Sequence, residues 1–144
     1  MTCGNRNGQC RSAQTAYNDI AQPFVATGTP IIILGTSATD TGASIETEPT
    51  VFKIKNSGLY RISYDVDLTA DAAGTVNVQL YDGQTPLPCA TAYRTTAADL
   101  EYAIHVETTL QLNTCCMFRH MIGARISGIA GEITHVCASC VKLA

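Results

Sequence analysis

Residues 56–82 read NSGLYRISYDVDLTADAAGTVNVQLYD, and this stretch decides the fold. From Tyr60 to Leu68 large apolar residues alternate with Arg, Ser and Asp, and a second alternation runs from Val76 to Leu80. A period of two is typical of a β-strand that is buried on one face only. A turn cluster that contains Gly74 separates the two runs. The stretch therefore predicts two long strands that pair as an antiparallel hairpin.

The chain keeps this character from residue 30 to its last residue. Apolar or alternating runs predict further strands, and a loop rich in Thr, Ser, Ala and Gly is predicted at 36–44. Pro86 and Pro88 favour a sheet edge or a loop, because proline cannot donate a ladder hydrogen bond. Eight or more short strands at this spacing predict an all-β, antiparallel β-sandwich. The additional strands are predicted at 31–35, 51–55, 90–96, 104–113, 116–129 (one or two strands) and 133–143.

The first 29 residues differ from the rest, since they are polar, dotted with glycine and without a clear strand alternation. They predict an irregular N-terminal arm at 1–29 that precedes a single domain at 30–144. A short helix capped by Ser12 is predicted at 12–20. We expect the arm, with Cys3, Cys10 and Tyr17, to anchor the protein to another structural protein of a larger particle.

The motif around Gly58, Tyr60 and Tyr64, preceded by the apolar run VFKIKN, resembles the jelly roll of the tumour necrosis factor and complement globular-head superfamily. It is most similar to the bacterial and phage branch, which includes the heads of spore-surface collagen-like glycoproteins. The resemblance covers residues 30–144, although the chain lacks a collagen Gly-X-Y stalk. It implies a homotrimer without catalysis, a pair of inner strands in the segment 51–66, and a terminal strand at 137–143 in the same inner sheet.

Composition narrows the possible partners. Charged residues make up 15% of the chain against about 25% in typical domains, which suggests that copies of the chain or a larger assembly cover part of its surface. A net charge of −3 with nine scattered Lys and Arg argues against nucleic-acid binding. No run approaches the ~20 apolar residues of a membrane span. The N-terminus lacks the apolar core of a secretion signal, which predicts synthesis in the cytoplasm.

These observations together predict a structural protein on a virion surface, most economically a phage capsid decoration or the knob of a head or tail fibre. Two other roles compete with it. The same fold on a spore surface, or as a lectin-like module that binds a host-surface glycan, fits the same residues.

The third alternative is enzymatic, because residues 40–44 spell DTGAS, which contains the Asp-Thr-Gly motif of aspartic proteases. In a dimeric retroviral-type protease, Asp40 and its copy would share a proton and activate water. That family places apolar residues directly before the aspartate, where this chain has Ala38 and Thr39. A polar loop between strands is therefore the favoured interpretation of Asp40.

The seven cysteines invite a metal interpretation that strand geometry disfavours. Cys137 and Cys140 have zinc-ligand spacing, but in a strand their side chains point to opposite faces. Cys3 and Cys10 flank a glycine-bearing loop, where a disulfide and a metal both remain open. His105 and His135 belong to no recognisable ligand set. No catalytic residue, metal ligand or cofactor is predicted.

Overall fold

The computed structural model describes residues 12–115 and 119–144, except for the side chains of Asp40 and Thr41. Twelve strands and no helix occur in these residues, and the strands form two antiparallel sheets packed face to face. The predicted all-β, antiparallel sandwich is confirmed. None of the described residues lies in a helix with the length and apolar character that a membrane crossing requires.

Sheet one has a path of five strands, and a short sixth strand, β2, pairs with β12 beside the path. The order along the path is β10-β7-β12-β1-β4. Its members are β1 (Ala13–Asn18), β2 (Gln22–Phe24), β4 (Ser37–Thr41), β7 (Gly58–Ala70), β10 (Glu101–Leu112) and β12 (Gly131–Lys142).

Sheet two has the order β5-β6-β11-β8-β9, and the two-residue strand β3 pairs with β11. The proline-bearing β9 lies at its edge, as Pro86 and Pro88 predict. Its members are β3 (Thr29–Pro30), β5 (Ile45–Thr47), β6 (Val51–Ile54), β8 (Gly74–Asp82), β9 (Thr85–Thr96) and β11 (His120–Ser127).

The core lies between the two sheets and follows the predicted alternation. Along β7, Tyr60, Ile62, Tyr64, Val66 and Leu68 are all fully buried, while the residues between them are exposed or half-buried. Inward residues of β8 and β11 face them from sheet two. The fully buried side chains with the largest volume are Tyr60, Tyr64, Phe52, Ile31, Ile33, Ile54, Ile62, Leu68, Leu80, Ile122, Ile126 and Ile133.

The predicted hairpin between β7 and β8 is wrong. β7 pairs with β10 and β12 in sheet one, whereas β8 pairs with β9 and β11 in sheet two. The connection at residues 71–73 crosses from one sheet to the other instead of turning back. The segment 51–66, which the resemblance implies to be a pair of inner strands, is also divided between the sheets, because β6 lies in sheet two and β7 in sheet one. The terminal strand β12 does lie beside β7, as the resemblance implies.

The predicted helix at 12–20 is also wrong, because this segment contains β1. It pairs with β12 on one side and β4 on the other. Sequence alternation is hidden here because most inward residues of β1 are polar: Gln14 and Asn18 are buried beside Ala16. Residues before the predicted domain boundary at 30 thus pair with residues after it.

Two further segments differ from the sequence predictions. The predicted loop at 36–44 contains β4, which forms the edge of sheet one. The predicted strand at 31–35 forms no ladder, although Ile31 and Ile33 are fully buried. Its backbone instead hydrogen-bonds to Ala124, to Pro49 and to amide side chains from the β1–β2 region.

Candidate functional site

The motif residues of β7 lie in the core. Gly58 has no room for a side chain, because a Cβ there would lie 2.6 Å from both the Ala144 carbonyl oxygen and Lys142 Cε. The Tyr60 hydroxyl donates to the Asn56 carbonyl oxygen at 2.7 Å. Tyr64 packs edge-on against Phe52, with ring centroids 6.3 Å apart. These contacts make the three residues part of the packing between the sheets.

Burial favours the neutral, protonated forms of the tyrosine and cysteine side chains around this motif. Burial raises the pKa of Tyr60 to about 12, and nearby Cys140 adds to the shift while a hydrogen bond with Ser44 opposes it. Burial also raises the pKa of the Cys140 thiol to about 12. It raises the pKa of the Tyr64 hydroxyl as well, and nearby Cys140 adds to that shift. A nucleophilic cysteine requires the opposite shift, so Cys140 is a structural thiol.

The outward side of β10, β7 and β12 in sheet one forms a surface that we call the polar face. At its centre the Ser63 and Ser139 hydroxyl groups lie 2.8 Å apart. His105 Nδ1 lies 2.7 Å from Asp65 Oδ1, and His135 Nε2 contacts Asp67 Oδ2. The charged and titratable side chains of this face are therefore arranged largely in pairs.

Cys137 also lies on the polar face, opposite Asp65 in the strand register. Partial burial raises the pKa of its thiol, and the negative charge of Asp65 adds to the shift. Each of the three histidines contacts a different aspartate, since His120 pairs with Asp82 on the other sheet. Within residues 12–115 and 119–144, no three His, Cys, Asp or Glu side chains lie close enough to hold a metal ion.

The residues assigned to the arm have different positions. Tyr17 is a half-buried residue of β1, and its ring centroid lies 6.1 Å from that of His135. It therefore belongs to the sandwich. Cys3 and Cys10 lie outside the described residues. Asp40, the predicted loop aspartate, lies in β4 opposite Gln14 of β1.

A groove on the outer side of sheet two escaped the sequence analysis. Its volume is about 320 Å³, within the lower range of small-ligand sites. Gly123 and Met121 belong to its lining, together with Val51 and Tyr81. A Cβ on Gly123 would lie 2.5 Å from the Thr50 carbonyl oxygen, so only glycine allows the chain at 50–51 to approach this closely.

The charge in this groove comes from Arg125. Its guanidinium carbon lies 4.8 Å from the centroid of the Tyr81 ring, and Nη2 donates to Gln84 Oε1 at 3.0 Å. The aromatic ring and the amide hold the cation in place without neutralising it. Tyr81 lies in β8 and Gln84 in the β8–β9 turn, 41 residues before Arg125, so no local motif signals the site.

No family model and no curated protein matches this chain. Solved structures do match. Eiger TNF from S. frugiperda superposes with a TM-score of 0.68 at 11% identity, covering 94% of this chain and 93% of that one. The chain has the jelly-roll fold of the tumour necrosis factor and complement globular-head proteins.

Two more matches show how widely this fold is used. The globular domain of the zebrafish complement 1qA protein has a TM-score of 0.65 at 7% identity, covering 92% of this chain and 96% of that one. Vertex protein P5 of phage PRD1 has a TM-score of 0.64 at 10% identity, covering 91% of this chain and 72% of that one. At these identities the similarity establishes the jelly-roll fold and its topology.

Proposed function

We propose that this jelly-roll chain is a non-enzymatic structural module that forms a homotrimer and is displayed on a phage virion, as a capsid decoration or a head-fibre knob. The observation that carries the proposal is the shared fold of this chain and the PRD1 vertex protein. The low proportion of charged residues supports self-association, because a surface covered by other copies needs fewer charges.

The polar face is the surface that best suits a second copy. Its histidines and aspartates are paired, and Arg61 is 3.8 Å from Glu107, so few isolated charges would lose water on contact. The small Ser63 and Ser139 side chains leave its centre flat enough for another sheet to approach. Sheet two carries the groove and Arg125, which forms no ion pair with any described residue, and this sheet would remain on the outside.

Attachment is assigned to residues 1–11, the part of the predicted arm that precedes β1. The Lys142 amide donates to the Ser12 carbonyl oxygen at 2.8 Å, and the Leu59 amide donates to the Ala144 carbonyl oxygen at 2.9 Å. Both ends of the described chain therefore lie at one end of the sandwich. An arm that extends from Ser12 would attach that end to another structural protein of the particle.

The test is the native mass in solution of the chain and of two arginine variants. We expect the unmodified chain to have three times its mass of 15.3 kDa in light scattering after size exclusion. Ser63→Arg inserts a long cation into the centre of the polar face and should yield monomers. Thr75→Arg is the matched control, because Thr75 is exposed on the outer side of sheet two.

Circular dichroism would confirm that both variants keep their strands. A monomeric unmodified chain would contradict the trimer. If Ser63→Arg remains trimeric while Thr75→Arg does not, the interface belongs on sheet two and not on the polar face.

A further inference from the structure

Arg125 is a half-buried cation that has only neutral partners. Lys53, Lys55 and Arg61 each have a glutamate within 4.0 Å, but no carboxylate of the described residues pairs with Arg125. Asp82, which follows Tyr81 in β8, is engaged by His120 Nδ1 and by the Met121 amide. The positive charge in the groove is therefore available to a ligand.

The geometry of Arg125 suits recognition of a single carboxylate. Its guanidinium has five N–H donors in a planar fork, and Gln84 uses one of them. Stacking on Tyr81 fixes the plane of the fork before a ligand arrives, which lowers the entropy that binding would cost. An arginine held in this way binds a carboxylate through two parallel hydrogen bonds.

The other residues of the groove restrict the charge and polarity of the part of the ligand that lies beyond its carboxylate. Among the described residues that line the groove, Arg125 alone carries a formal charge, so a monoanion matches better than a phosphate dianion. Met121, Val51 and Pro30 add apolar walls, while the Gln84 amide adds polar contacts at the rim. A compact ring with a carboxylate, hydroxyl groups and an apolar face satisfies both kinds of contact.

From these contacts we infer that the groove beside Arg125 binds an acidic sugar residue of the uronic or sialic class. The carboxylate pairs with the guanidinium, and the ring lies across Gly123 against Met121 and Val51. The site is formed within one chain and lies on the sheet that faces away from the proposed trimer interface. It therefore adds a glycan-binding activity to the proposed structural module, and it does not depend on trimer formation.

The experiment is a titration of the full-length, isotope-labelled protein followed by NMR amide shifts. The probes are N-acetylneuraminic acid, glucuronic acid, neutral glucose and inorganic phosphate, each up to about 20 mM, because one charge-assisted contact in an open groove supports roughly millimolar affinity. We expect both acidic sugars to shift the amides of Gly83, Gln84 and Gly123, with glucose and phosphate much weaker.

Two glutamine variants test the assigned cation. Arg125→Gln removes the charge and should weaken binding of the acidic sugars about tenfold or more. Arg94→Gln is the matched control, since the guanidinium carbon of Arg94 lies 5.4 Å from the ring centroid of Tyr102, outside the groove. Binding to this control should be unchanged.

Absence of binding by the unmodified chain would overturn the inference, as would equal binding of glucose and glucuronic acid. Unchanged affinity in Arg125→Gln would also overturn it. Tighter binding of phosphate than of either sugar would replace the sugar class by a phosphate ligand. All of these outcomes are independent of the mass measured for the native particle.

Discussion

Tyr60 and Tyr64 lie on the same side of β7, but their hydroxyl groups have different surroundings. The Tyr60 hydroxyl donates to the Asn56 carbonyl oxygen, whereas the fully buried Tyr64 hydroxyl has no hydrogen-bond partner among the described residues. A buried hydroxyl without a partner loses its hydration and gains nothing in exchange. The core therefore contains one satisfied phenol and one unsatisfied phenol in otherwise similar positions.

This difference predicts opposite results for the same substitution. Tyr64→Phe should leave the free energy of unfolding unchanged or raise it, because it removes only the unsatisfied oxygen. Tyr60→Phe should lower it by about 1 kcal/mol through the lost hydrogen bond and the unpaired Asn56 carbonyl. Urea unfolding of both variants and the unmodified chain measures the difference. A larger loss in Tyr64→Phe would mean that its hydroxyl has a partner, such as a buried water.

Burial of Cys140 predicts a loss of stability in alkali. The pKa of its thiol is raised from 9.0 to about 12 in the native state, so as pH rises the unfolded chain releases the proton first. The contribution is therefore fully present below pH 9.0 and is lost as the pH rises to about 12, and Tyr60 acts in the same direction. Cys140→Ala should flatten part of this decline in denaturant unfolding at a series of pH values.

Cys89→Ala is the control for this measurement, because it removes an exposed thiol instead of the buried one. If the two variants have parallel pH curves, the decline in alkali comes from other groups. Since Cys140→Ala also leaves a small cavity, the slope with pH is the informative quantity and not the stability at one pH.

At the scale of elements, polar side chains from the β1–β2 region replace the missing ladder of residues 31–34. The Gln22 amide donates to the Ile32 carbonyl oxygen and accepts from the Ile32 amide, both at 2.9 Å. Asn18 Nδ2 donates to the same carbonyl, also at 2.9 Å. Gly35 makes room for Asn18, since a Cβ there would clash with its side chain. Buried amides thus link β1 and β2 to an irregular segment of the core.

Gln22→Leu should therefore destabilise the domain although it adds apolar volume. It keeps the approximate size of the side chain but leaves the Ile32 amide without its partner, at a cost of about 1–3 kcal/mol. Gln111→Leu is the matched control, because Gln111 is exposed on β10. Thermal or urea unfolding distinguishes the two. Equal effects would show that the Gln22 hydrogen bonds contribute little to stability.

The distribution of apolar and polar residues explains which strands can be predicted from the sequence and which cannot. β7, β10 and β12 alternate between apolar and polar residues, so their pattern alone identifies them. β1 and β4 do not, because Gln14 and Asn18 point inward and β4 consists of small or polar residues. Alternation also carries no information about which strands pair, so it cannot show that β7 and β8 belong to different sheets. The groove brings Arg125 next to Tyr81 and Gln84, although Gln84 lies 41 residues earlier in the chain, so its chemistry emerges only after folding.

At the scale of the whole molecule, the two sheets have different outer surfaces. Sheet one presents paired charges around Ser63 and Ser139, and sheet two presents a groove whose arginine pairs with no carboxylate of the described residues. Together with the chain ends at one end of the sandwich, this arrangement would give the proposed self-association, ligand binding and attachment three separate surfaces.

Two truncations separate attachment from folding. Removal of residues 1–11 should leave the melting temperature and the oligomeric state unchanged and abolish attachment to the particle, because all the described strands remain in the shortened chain. Removal of residues 1–29 also deletes β1 and β2. β1 lies between β12 and β4 and contributes the buried Ala16, so this chain should lose cooperative unfolding.

Calorimetry and co-sedimentation with the particle test both forms. Continued co-sedimentation of the shorter truncation would contradict the assigned anchor, and a folded chain lacking residues 1–29 would contradict the structural role of β1.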